Sequence, residues 1–256
     1  MAAARNLKLT LEYEGTDFAG WQRQPAPART VQQVVEDAIE KMTGVWSCLR
    51  AAGRTDAGVH ARAQVANFRT EAPIPLGGFL RGLNAILPRD AAVVAIDEVD
   101  DAFDARRSAK GKRYVYRVWN ADTRSPLIDR FAWHRHRALD LEAMRQGGQV
   151  LVGEHDFSAF RALDCDRKNP IRILRRLEVR GGAPGLVEIE VEATAFLKHM
   201  VRVIAGTLIE VGLRRRDPAE VAEILASGDR ARAGKTAPPR GLTLEQVHYD
   251  DATRRV

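Results

Sequence analysis

Leu7, Leu9, Leu11 and Tyr13 alternate with polar residues, the period of two expected of a strand with one buried face. Thr30-Val31-Gln32-Gln33 has the form of a capping box. Behind it, Val31, Val34, Val35, Ala38, Ile39 and Met42 make the apolar stripe of an amphipathic helix. A strand is predicted over Val45–Ala51, a loop over Gly53–Gly58 and a further strand over Gln64–Arg69. A helix over Leu76–Ile86 and a strand over Ala92–Val99 complete a β-α-β-β-α-β order.

That order is the split βαβ arrangement of a ferredoxin-like unit, and the second half repeats it less clearly. Tyr114–Trp119 reads as a strand, Leu139–Leu151 as a helix, and Leu174–Arg180 with Val187–Ala193 as a hairpin around Gly181-Gly182-Ala183-Pro184-Gly185. His199–Val211 is a predicted helix stopped by Gly212. Asp217-Pro218 opens a short helix with Pro at its first position and Gly228 beyond its end. Gly241–Tyr249 reads as a closing strand, while Pro25–Arg29 and Arg230–Arg240 read as surface loops. The expected fold is α+β: two ferredoxin-like (RRM-like) halves, residues 1–104 and 105–256, joined in one mixed, mainly antiparallel sheet with helices on one side.

Composition narrows the function. The 256 residues are 45% hydrophobic and 29% charged, as in soluble globular proteins, and no apolar run approaches a membrane span. Met1–Arg5 leads straight into an alternating stretch with no apolar h-region, so a cytoplasmic protein is expected. Two cysteines, Cys48 and Cys165, exclude a disulfide framework and a four-thiolate zinc site. His134 and His136 share a face if strand-like but have no third ligand nearby, and read as a phosphate-facing or exposed edge. A net charge of +6 matters only if the cations converge. No phosphate-binding loop, dinucleotide fingerprint or nucleophile elbow is present, so no cofactor and no metal are expected.

Candidate chemistry concentrates in Ala52-Gly53-Arg54-Thr55-Asp56-Ala57-Gly58-Val59-His60. A carboxylate stands between two glycines, which allow close approach of another molecule, and beside Arg54, which favours its charged form. The same residues would equally serve an Asx turn. Arg106–Arg117 carries six cations and then Tyr114 and Tyr116 on one face: phosphate contacts with a stacking platform, or a solvated loop feeding a strand whose tyrosines are core. Arg172, Arg175, Arg176 and Arg214-Arg215-Arg216 extend the basic pattern. His155-Asp156 resembles a dyad, but adjacent strand residues face opposite ways, which favours a cap or loop role.

The Gly53–His60 octapeptide is similar to the active-site signature of the tRNA pseudouridine synthase A family. The similarity extends through Tyr13-Glu14-Gly15-Thr16, Gly20-Trp21-Gln22-Arg23-Gln24, Thr30-Val31-Gln32, Asn84, Leu87-Pro88, Asp90, Phe103, Ala105-Arg106, Ala109 and Arg113–Tyr116. His155-Asp156-Phe157, His199–Arg202, Gly206, Gly241-Leu242 and Leu244 complete it in family order. Glu14 replaces a common Asp, and Val115 a frequent polar residue. The resemblance implies a homodimer that isomerises uridine in the tRNA anticodon stem-loop, around tRNA positions 38, 39 and 40, without cofactor, metal or membrane. It further implies Asp56 as nucleophile or base, Tyr114 stacking on the target base, Arg54 holding the flipped nucleotide and Arg202 pairing with Asp56. A non-catalytic RNA-binding or RNA-chaperone protein on the same fold is the alternative, and a metal-dependent phosphodiesterase using Asp56 a third.

Overall fold

The structure, a computed structural model, describes residues 4–182 and 185–250. It divides into two compact units: one runs to Lys110 and takes back the chain from Leu244, and the other spans Gly111–Thr243.

In the first unit, β1 (Arg5–Tyr13) pairs antiparallel with β3 (His60–Thr70) and β4 (Ala91–Val99), and the strand order runs β4-β1-β3 and on to β10 (Leu242–His248). The alternation in β1 has the predicted cause, since Leu7, Leu9 and Leu11 are fully buried. Two helices belong to this unit, α1 (Val31–Thr43) and α2 (Leu76–Ile86), and they pack against each other. Thr30 Oγ1 accepts from Gln33 N–H as the capping box predicts, and α2 sets Phe79 edge-on to Phe68 of β3 at 6.0 Å. The opposite face of the strands is polar and committed. Asn67 Nδ2 donates to Asn6 Oδ1 (2.9 Å), Asn6 Nδ2 donates to the Asp100 and Phe103 carbonyls, and Asn67 Oδ1 accepts from Ala105 N–H. That arrangement fastens residues 100–105.

The strand predicted over Val45–Ala51 shrinks to β2 (Arg50–Ala51), paired with Asn67 and Ala66 of β3. Val45 and Trp46 are 65% and 51% exposed, and the Leu49 N–H donates to Glu36 Oε1 of α1. A side chain has taken the donor that a longer ladder would need.

The second unit orders its strands β5-β9-β8-β7: β5 (Gly111–Asn120), β9 (Leu186–Ala193), β8 (Ile171–Gly182) and β7 (Gly153–Asp156). All these pairs are antiparallel, and a short β6 (Trp133–Arg135) runs parallel to β5, so the sheet is mixed. Ala183 and Pro184 of the expected hairpin turn lie outside the described residues. The helices are α3 (Leu141–Gln149), α4 (Met200–Gly212) and α5 (Glu220–Ser227), with α3 packed on β8 and α4 on β5.

Three helix boundaries move for capping reasons. Asp140 Oδ1 accepts from Ala143 N–H and starts α3 two residues later than Leu139. Gly212 is the last residue of α4, and the left-handed turn beyond it falls on Arg214 (φ 54°). Asp217 Oδ1 accepts from Ala219 N–H, so Asp217-Pro218 forms a turn before α5 and Pro218 is not its first helical residue. Gly228 (φ 63°) caps α5 as expected. No helix among the described residues is long and apolar enough to cross a membrane.

Candidate active site

The loop between β2 and β3 alternates inward and outward. Thr55 and Val59 are buried, Arg54 is exposed and Asp56 is half-buried. Its inward residues are tied to the segment that follows β1. The Trp21 N–H donates to the Thr55 carbonyl at 3.0 Å, and the Gly58 N–H donates to the Phe18 carbonyl at 3.2 Å. The Gly15 N–H donates to His60 Nδ1 at 2.9 Å, which fixes that ring nitrogen as an acceptor. The Val59 N–H closes the turn on the backbone carbonyl of Asp56 at 3.1 Å.

Close approach of the two segments depends on glycine at two positions. A Cβ on Gly15 would lie 2.0 Å from the Val59 carbonyl oxygen, and one on Gly20 would lie 2.9 Å from that of Thr55. Gly20 also holds a φ of 94°, which strains any side chain.

A buried polar chain backs the loop. Gln64 Nε2 donates to the Gly53 carbonyl at 3.0 Å and stands 3.5 Å from the Tyr13 hydroxyl, which is 2.8 Å from Thr55 Oγ1. Burial pushes the Tyr13 phenol up to about 12, against smaller opposing effects of its hydrogen bonds with Thr55 and Gln64. At neutral pH this phenol is therefore a fixed hydrogen-bonding group and not a proton carrier. Removing it strands Thr55 Oγ1 in the interior. Tyr13→Phe is expected to lower stability by about 1–3 kcal/mol, read as a reduced denaturant midpoint, and to lower kcat more than it raises KM.

The sequence motif around Trp21 and Arg23 has a structural explanation. Arg23 donates to Glu36 Oε2 (3.0 Å), and Gln32 Nε2 donates to Glu36 Oε1 (2.9 Å), so the fully buried Glu36 carboxylate of α1 is satisfied on both oxygens. Arg29 grips Asp90 through two 2.7 Å bonds and lies 4.1 Å over the Phe18 ring. These contacts hold residues 18–23 against the start of α1.

In the second unit, Tyr114 on β5 stands opposite Val191 and meets Phe196 edge-on at 5.1 Å, with 7% of its surface exposed. Arg202, in the first turn of α4, donates through Nε to the Ala237 carbonyl (2.8 Å), and the Ala237 N–H returns a bond to the Arg202 carbonyl (3.0 Å). The Gly234 N–H donates to Thr207 Oγ1, so the surface loop Arg230–Arg240 is fastened to α4. Tyr116 belongs to the core: it is fully buried and donates to the Pro238 carbonyl. Burial drives its pKa upward, opposed by the charges of Arg202 and Arg240. The stacking-platform reading of the tyrosine pair thus loses Tyr116.

Other candidates resolve plainly. His155 Nε2 contacts the Val152 carbonyl while Asp156 Oδ1 accepts from Ser158 N–H, so the two form no dyad. His134 Nε2 contacts the Ala121 carbonyl. Arg113 and Arg117 pair with Glu190 and Glu188 of β9. Among the described residues no group of three or more His, Cys, Asp or Glu converges. Sequence reading missed Gln64 and Glu36 as supports; a fully buried Gln in a strand and Glu in a helix signal them only once burial is known.

The chain thus folds as two α+β units, the first of which carries the half-buried Asp56 on a loop braced from behind. The sequence profile described as tRNA pseudouridine synthase matches residues 10–106 and 149–250, and the chain belongs to this family. It is 54% identical over 245 residues to tRNA pseudouridine synthase A of Myxococcus xanthus, covering 96% of this chain and 92% of that one. It is 46% identical over 245 residues to tRNA pseudouridine synthase A of Geotalea daltonii, covering 96% of this chain and all of the relative. Against tRNA pseudouridine synthase A of Geobacter sulfurreducens the identity is 43%, again over 96% of this chain and the whole relative.

Proposed function

We propose that this protein isomerises uridine to pseudouridine in the anticodon stem-loop of tRNA, around tRNA positions 38, 39 and 40, as a cytoplasmic homodimer. Asp56 acts as nucleophile or base, and Tyr114, Arg54 and Arg202 bind the substrate. The observation that carries the reading is Asp56 itself, half-buried on a loop whose inward neighbours are locked into the fold. A carboxylate held on a rigid loop is what covalent or proton-transfer catalysis requires.

The reaction is an isomerisation. The N1–C1′ bond of the nucleoside breaks, the uracil turns, a C5–C1′ bond forms and the C5 proton leaves, so no redox carrier or group donor enters the balance. A carboxylate serves by attacking ribose C1′, by attacking uracil C6, or by removing the C2′ proton. A base stacked in an RNA stem is out of reach, so it must be flipped out. Stacking it on Tyr114 returns roughly 1–3 kcal/mol of the unstacking cost. The basic surface would select tRNA by shape, since an A-form stem shows side chains few base edges.

Tritium release from tRNA labelled at uridine C5 tests the reading, with release expected and its absence counting against it. Tyr114→Ala is expected to lower the single-turnover rate by about a hundredfold, beyond any loss of tRNA affinity, if stacking is stronger in the transition state. Tyr114→Phe keeps the ring and should retain tRNA affinity. Equal losses of rate and affinity in the alanine variant would make Tyr114 a simple binding residue.

A further inference from the structure

Several arginines of the second unit are spent on carboxylates: Arg113 on Glu190, Arg117 on Glu188, Arg145 on Glu142, and Arg176 and Arg180 on Glu178. The corner after β6 gathers arginines without such a partner. Residues 135–140, leaving β6, are bound to the end of α4, because the Asp140 N–H donates to the Gly212 carbonyl (2.8 Å) and Arg214 pairs with Asp140. Asn120 of β5 fixes the approach: its Nδ2 donates to the Arg135 (2.8 Å) and Arg137 (2.7 Å) carbonyls, and its Oδ1 accepts from Leu139 N–H. Arg214 takes Asp140 and Arg216 takes Glu210 (2.6 Å), which uses the nearby acids. No salt bridge among the described residues includes Arg135, Arg137 or Arg215.

Arg135 feels the charges of both of the others. Burial and then the charges of Arg215 and Arg137 weaken the hold of Arg135 on its proton. Arg135 lies 4.9 Å over the Trp133 ring, and its Nε is buried with no hydrogen-bond partner. Arg137 and Arg215 are exposed. A fold that holds three like charges together without a counter-ion gains nothing for stability from doing so. Planar guanidiniums grouped in this way match phosphate oxygens, which they bind through paired N–H donors.

We propose that Arg135, Arg137 and Arg215 form a clamp for backbone phosphates of the substrate RNA. The clamp rests on the RNA-substrate reading above and adds to it positioning residues other than those assigned to the flipped base. Phosphate contacts set register and carry no sequence information, so the clamp tunes affinity and not the chemical step.

The test is the salt dependence of binding to unmodified tRNA transcript by the full chain. Each phosphate contact contributes about 0.7–0.9 to the slope of log K against log salt. Replacing all three residues (Arg135→Gln, Arg137→Gln, Arg215→Gln) should reduce the slope by about two to three. Affinity should fall at least about tenfold at low salt, with kcat at saturating tRNA unchanged. The paired Arg145→Gln should leave the slope as it is. The triple variant should melt no lower than the parent, because repulsion has been removed. If it fails to fold, the exposed Arg215→Gln alone should lose about 0.7–0.9 of slope. An unchanged slope in a folded variant overturns the clamp. Binding is read separately from isomerisation, so a parent that binds RNA through this cluster without releasing tritium defeats the proposed function and not the clamp.

Discussion

Asp56→Ala is expected to lower pseudouridine formation by about 10⁴-fold or more, with tRNA affinity and fold retained. Retention of the fold follows from how the loop is held. The Val59 N–H uses the Asp56 backbone carbonyl, and the anchors at Thr55, Gly58 and Gly53 do not involve the Asp56 side chain. These backbone anchors remain in Asp56→Ala, so the variant is expected to fold, read as a single cooperative melting transition. Asp56→Asn should lose as much activity as the alanine variant, because it keeps the shape and removes the charge and nucleophilicity. Substantial turnover by either variant would remove Asp56 from the chemistry.

Gly15→Ala should have a large effect on stability. The new Cβ would lie 2.0 Å from the Val59 carbonyl oxygen and 2.5 Å from its carbon, both backbone atoms held by the turn. Relief requires the segment after β1 to move off the loop, with loss of the Gly15 N–H bond to His60 Nδ1. The expected cost is about 3 kcal/mol, or roughly 10 °C in Tm. Because the Asp56 loop is braced by that segment, kcat should also fall about a hundredfold, the usual consequence of a misplacement near 1 Å. Parent-like melting together with parent-like rate would show that the segment does not position the loop.

What was legible in the sequence follows from how local each cause is. Leu7, Leu9 and Leu11 alternate because one face of a strand is buried, and α2 keeps its predicted ends, Leu76 and Ile86, between Pro75 and Pro88. Val45 and Trp46 misled because their type favours a strand, whereas pairing depends on where the Leu49 N–H finds an acceptor, and that acceptor is Glu36 thirteen residues earlier. Asp56 stood out between its glycines. Its supports did not, since Tyr13 and Gln64 reach the loop only after β1 and β3 have paired. Charge followed the same rule: Arg113 and Arg135 look alike in sequence, and the strand carrying Glu190 makes one an ion-pair member while the other stays uncompensated. The resemblance to the family reached further than periodicity because its motifs carry these tertiary constraints without stating them.

The central claim is that a braced Asp56 isomerises uridine in tRNA. Its most direct test is to incubate the purified protein with tRNA transcript tritiated at uridine C5 and to count released tritium beside mapped pseudouridine. Release matching pseudouridine one for one at anticodon-arm uridines, and absent with Asp56→Ala, is the predicted result. Tight tRNA binding with no release by the parent protein, or equal release by Asp56→Ala, would contradict it.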